Sequence, residues 1–93
     1  MKKLDAEVTR ETPLLRASAK GNLEVVKKLC RGGADVNVRV IDSKLFFGTT
    51  ALMQAAKNNR IEVVRYLVIN AEAKVNAVNN DGSSALHLAA YAG

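Results

Sequence analysis

The chain nearly repeats itself. "TPLLRASAKGNLEVVKKL", Thr12 to Leu29, aligns without a gap on "TALMQAAKNNRIEVVRYL", Thr50 to Leu67, and "SALHLAAYAG", Ser84 to Gly93, opens a third copy. The copies begin 38 and then 34 residues apart. "GGADVN" follows the first and "AEAKVN" the second. A period in this range marks an array of supersecondary units, each of which buries its apolar face against its neighbours.

Within one copy the local signals agree. Thr12 suits a helix N-cap, with Pro13 at the first helical position, where its missing N–H costs little. Leu14, Ala17 and Ser18 share one face at helical spacing, as do Leu52, Ala55 and Ala56, and Leu86, Ala89 and Ala90. Such small side chains allow close helix approach. Gly21 is placed to end the first helix at positive φ, and Asn59 stands in its place in the second copy. Asn22 can cap a second helix, with Glu24 near its positive end. Val25, Val26, Leu29 and Cys30 form that helix's apolar stripe, matched by Val63, Val64, Leu67 and Val68. Lys27 and Arg65 are expected in water, and Gly32 and Gly33 stop the helix. The fold class is therefore all-α: short antiparallel helix pairs joined by extended turns.

"TPLL", "TALM" and "SALH", with "GNLEVVKKLCRGGADVN", resemble the ankyrin repeat family and its T-P-L-H-x-A signature. The resemblance covers residues 12 to 93 and implies a helical solenoid of stacked helix-turn-helix units. On this reading 1–11 is an N-terminal capping segment, 12–38 the first unit and 39–48 an extended turn. The second unit is 49–78, and 79–93 is a partial third. The chain departs from the pattern in three ways. Five extra residues lie in the turn between Asn37 and Thr50, one extra residue lies near Asn70 or Ala71, and the third copy has no second helix. The last helix is thus expected to show a bare apolar face, as in a fragment of a longer array, a self-associating chain or an irregularly packed tail. Leu4 to Arg10 is expected to form a partial cap over the first helices.

Catalytic chemistry finds little support. The only Cys and the only His are Cys30 and His87, in copies one and three. Stacked helices are about 8–10 Å apart, which separates the pair by roughly twice that, whereas a nucleophile and its base lie within about 3 Å. Cys30 reads as a small core residue, and His87 as the signature histidine, held by hydrogen bonds near the turn. "RGGADVN" lacks the Lys-Ser/Thr ending of a phosphate loop. The nine carboxylates are scattered among basic residues. No enzyme, cofactor or metal is expected. The lone cysteine favours an intracellular setting. No run reaches the ~18 apolar residues of a membrane span, and the basic "MKKLDAEVTR" is not followed by the apolar run of a secretory signal. A net charge of +5, interleaved with acids, does not argue for nucleic acid.

What remains is a surface. The resemblance implies a protein-interaction module that binds through turn tips and first helices, with a protein or peptide partner, possible acidic character in that partner, or self-association through the bare end. Transferred by position, the first helices offer Ala19 and Lys20, Lys57 and Asn58, and Tyr91 and Ala92. The turns offer Arg39 and Thr49, then Val78, Asn80, Asp81 and Ser83. Lys20, Arg39 and Lys57 are expected near one another. The long turn carries both phenylalanines of a chain with only 4% aromatics. "VRVI" and "KLFF" flanking "DS" suit a short hairpin tipped by Asp42 and Ser43. Leu45, Phe46 and Phe47 either fold back as a satellite cluster or stay exposed as a binding anchor.

Overall fold

The computed structural model describes residues 7–8, 12–41 and 48–92. Each complete copy becomes two helices. The first unit holds α1 (Pro13–Lys20) and α2 (Leu23–Arg31), the second α3 (Ala51–Lys57) and α4 (Ile61–Ile69), and the third copy gives α5 (Ala85–Ala92). The first helices lie side by side, α3 between α1 and α5, while α2 packs on α1, α4 on α3, and α2 on α4. This is the stacked helical array that the repeat requires.

The helix ends follow their residues. Thr12 is extended, and its Oγ1 accepts from the Leu15 N–H at 3.1 Å. Thr50 does the same for Met53 at 3.3 Å. Gly21 has φ 76 and Asn59 φ 59, so in both copies the chain leaves the first helix through the left-handed region. Gly21 also faces the Arg60 side chain so closely that an added Cβ would lie 2.8 Å from its Cδ. Asn22 caps α2 by accepting from Val25 at 3.3 Å. Its counterpart Arg60 makes no such cap on α4. It reaches across the repeat instead, its Nε donating to the Ala19 carbonyl at 2.9 Å.

The two second helices end differently, and the extra residue near Asn70 explains why. After α2 the Ala34 N–H bonds to Leu29 at 3.0 Å, with Gly33 at φ 95. After α4 the equivalent bond, from the Ala73 N–H to Leu67 at 2.9 Å, spans six residues where Ala34 to Leu29 spans five, a widened turn that absorbs the added residue. Glu72 takes the left-handed position of Gly33, at φ 56, without glycine's freedom.

The core runs between the helix layers. Leu14 and Ala17 meet Leu52, Ala55 and Ala56, with Val26, Val63 and Leu67 closing the other side. A fully buried Leu or Val contributes roughly 1.5–3 kcal/mol, so most of the stabilisation comes from contacts that cross between helices. Ser18, wholly buried on α1, has no hydrogen-bond partner for its hydroxyl. Two sequence expectations shift. Val25 lies at the edge of the α2 stripe and is exposed. Lys27 is half-buried, its Nζ 6.0 Å from the centre of the Tyr66 ring on the neighbouring unit, where a cation–π contact is available.

Among the described residues, one pair of two-residue strands accompanies the helices. β1 (Glu7–Val8) runs parallel to β2 (Arg39–Val40). The described part of the N-terminal segment therefore joins the first turn. An antiparallel bridge between Val40 and Thr49 closes the base of the long turn, as a hairpin needs. Asp42, Ser43, Leu45, Phe46 and Phe47 lie outside the described residues, as does the choice between their two readings.

Candidate interaction surface

Packing buries most of α3 and leaves the turn tips and the ends of the first helices in solvent. Lys20 and Lys57 are the last residues of α1 and α3, and both are exposed. Asn58 follows, exposed, its Nδ2 donating to the Gln54 carbonyl at 2.8 Å. Ala19 is half-buried, and its carbonyl is taken by Arg60. Tyr91 stands in the last turn of α5, its side chain outside the described residues.

The second turn is built on Asn79. Its Oδ1 accepts from the N–H groups of Asp81 at 2.9 Å and Ser83 at 3.0 Å, and its own N–H donates to the Ser83 carbonyl. These bonds hold Asn80 and Asp81 outward at the tip, both exposed, with Ser83 half-buried and Val78 exposed beside them. At the start of α5, Ser84 and His87 close a small ring. The Ser84 N–H donates to His87 Nδ1 at 3.1 Å, which leaves the ring proton on Nε2.

Arg39 ties the two turns together. Its Nη2 donates to Asn80 Oδ1 at 3.0 Å and its Nε to the Gly48 carbonyl at 3.4 Å. Gly48, at φ 81, leaves the room this needs: an added Cβ would meet Arg39 Nη2 at 2.5 Å and Asn80 Oδ1 at 2.8 Å. A second link runs from the Lys74 N–H to Asn37 Oδ1 at 2.9 Å. The tips are therefore fixed relative to each other by side chains as well as by the helices beneath them. Sequence reasoning singled out Arg39 and Asn80 but not their pairing, and it passed over Gly48. A lone glycine just before the Thr49–Thr50 cap was the available signal.

Two expectations about this surface change. Thr49 is buried, because it exchanges backbone bonds with Val40 and sits directly beneath the Thr50 cap. The three cations do not gather. Arg39 is beside Gly48 at the start of α3, whereas Lys57 ends α3, roughly 10 Å along the axis at ~1.5 Å per residue. Cys30 is half-buried on α2, where burial pushes its thiol pKa up, opposite to what a reactive thiolate needs.

The free flank of α4 and α5 is apolar. Ile61 is 58%, Ile69 69% and Leu86 78% exposed. Ile61, Val64, Val68, Leu86 and Ala89 line a groove of about 290 Å³ whose floor includes Leu52 and Ala85.

Known proteins agree with the array. The family profile described as ankyrin repeats (3 copies) matches residues 14–93. Over 82 residues, 88% of this chain, it is 42% identical to "Probable E3 ubiquitin-protein ligase XBOS33" of Oryza sativa subsp. japonica. It is also 42% identical, over 85 residues, to "E3 ubiquitin-protein ligase XBAT33" of Arabidopsis thaliana. "Cortactin-binding protein 2" of Rattus norvegicus is 39% identical over 78 residues. The chain spans 15% of the length of each of the two ligases and 4% of the cortactin-binding protein. Ankyrin repeats are in general protein–protein interaction modules. Three in-phase copies, their shared caps and the family match lead to one conclusion: this chain belongs to the ankyrin repeat family.

Proposed function

We propose that this chain is a non-catalytic recognition module that presents its turn tips and first-helix ends, as a preformed surface, to a protein or peptide. The observation that carries this is the fixed pair of tips. Arg39 joins Asn80 across two turns, so little ordering entropy remains to be lost on binding. Lys20, Lys57, Asn58, Asn80 and Asp81 supply the exposed polar contacts, and the lysines favour an acidic partner. Inside a longer protein, such as the ligases it resembles, the array's part is to recognise and not to transfer. No helix among the described residues is long and apolar enough to cross a membrane, and the lone cysteine suits a reducing, intracellular setting.

Affinity capture from cell lysate tests this. A chain carrying Lys57→Glu and Asp81→Lys should lose captured protein, and Arg31→Glu with Arg65→Glu, on the second helices, should retain it. Equal capture by all three would remove the tips from consideration.

The groove beside α5 favours a second reading, an assembly role in which another copy of the chain covers the bare edge. Sedimentation over a range of concentrations reads this directly. A dimer abolished by Leu86→Asp supports it, and a monomer at all concentrations rejects it.

A further inference from the structure

Val40 directs both its N–H and its C=O toward Thr49, with bonds of 2.8 and 3.1 Å. Backbone groups alternate in direction along an extended strand, so those of Arg39 and Ile41 face the other way. On that side lies β1, parallel and in register, with Glu7 across from Arg39 and Val8 across from Val40. The first turn thus already accepts an added strand along one edge. In recognition of this kind main-chain bonds supply affinity and alternate side chains supply selectivity.

We propose that this edge of β2 is a strand-docking site for an extended partner segment carrying an acidic residue followed by an apolar one, and that Glu7–Val8 occupies it in cis. Register sets the preference. An acidic residue falls in register with Arg39, and an apolar one with Val40, which is fully buried. The inference rests on the turn tips being the recognition surface and adds the form and chemistry of the ligand. Two paired residues hold weakly, and a segment tethered nearby acts at an effective concentration on the order of millimolar. A partner strand that pairs over more residues displaces it.

The probe is a synthetic peptide of residues 1–11, MKKLDAEVTRE. It is titrated by NMR to several times the ~millimolar effective concentration, against the isotope-labelled full chain, wild type and Val8→Pro. Proline at position 8 removes an N–H and opposes pairing. The amides of Arg39, Val40 and Ile41 should shift in the Val8→Pro chain with a dissociation constant at least ~10-fold lower than in wild type, the cis strand no longer competing. A peptide with Glu7→Lys and Val8→Asp should bind Val8→Pro at least ~10-fold more weakly than the native peptide. Should Val8→Pro unfold, Glu7→Lys in the full chain weakens the cis strand more gently, and the native peptide should then bind about threefold better than to wild type. Equal titration of wild type and variant, or no shift in a folded variant, overturns the site. A failed titration beside a partner captured through Lys57 and Asp81 removes only the strand site. Failure of capture leaves the titration to stand by itself.

Discussion

α3 and α5 descend from the same sequence pattern and meet opposite fates. In α3, Leu52 is 2% exposed, and Ala55 and Ala56 are buried between α1, α4 and α5. In α5, Leu86 holds the position of Leu52 and is 78% exposed, with Ala89 half-buried and Ala90 open. The residue types are alike, and the neighbours differ. In an array of this kind a residue's contribution is set by whether the next unit is present to receive it. Stability should therefore be concentrated in α3 and fade toward α5.

The largest expected effect tests that contrast directly. Leu52→Ala should destabilise by about 2–5 kcal/mol, as truncation in a packed core does. Leu86→Ala should change stability by less than about 0.5 kcal/mol. Denaturant melts of both variants make the comparison, and similar midpoints would break it. Next comes Gly21→Ala, expected to cost about 1–2 kcal/mol from the left-handed backbone alone. The crowded Arg60 side chain adds to this, and its bond to Ala19 would be lost as it moves. If Gly21→Ala is neutral, the junction between the units is softer than described.

Capping gives a smaller effect. Thr50→Ala should cost about 1 kcal/mol by removing the acceptor for the Met53 N–H. Ser84→Ala, at the start of the less buried α5, should cost visibly less in the same melts. The smallest effect has the opposite sign. Glu72→Gly should stabilise by about 0.5 kcal/mol, relief of left-handed strain less the greater unfolded-state freedom of glycine. A loss there would mean that the Glu72 side chain makes a compensating contact.

Much of this architecture was legible because its signals are local. Thr12, Thr50 and Asn22 announce helix starts, and Gly21 and Asn59 announce helix ends, through bonds and dihedrals spanning only a few residues. The apolar side chains on the open flank of α5, Leu86, Ala89 and Ala90, were visible at helical spacing. Other features depend on residues far apart in the chain. The Arg39–Asn80 bond joins positions 41 residues apart, and nothing in either turn specifies it. The β1–β2 pairing involves two residues per strand, too few to show alternation. Thr49 falls among the turn residues when positions are transferred from the repeat pattern. Its burial comes from the bridge to Val40, a pairing made across the long turn. The extra residue near Asn70 was visible as a miscount, but the widened turn that absorbs it, and the strain at Glu72, needed the backbone.

Amide hydrogen exchange of the unmodified chain tests the central contrast most directly, because local opening reports how well each helix is held. The account predicts that the amides of Leu52 to Lys57 exchange with close to the free energy of global unfolding. It predicts that those of Leu88 to Ala92 exchange at least about 100-fold faster after correction for intrinsic rates. Equal protection of α3 and α5 in a monomeric sample would contradict it.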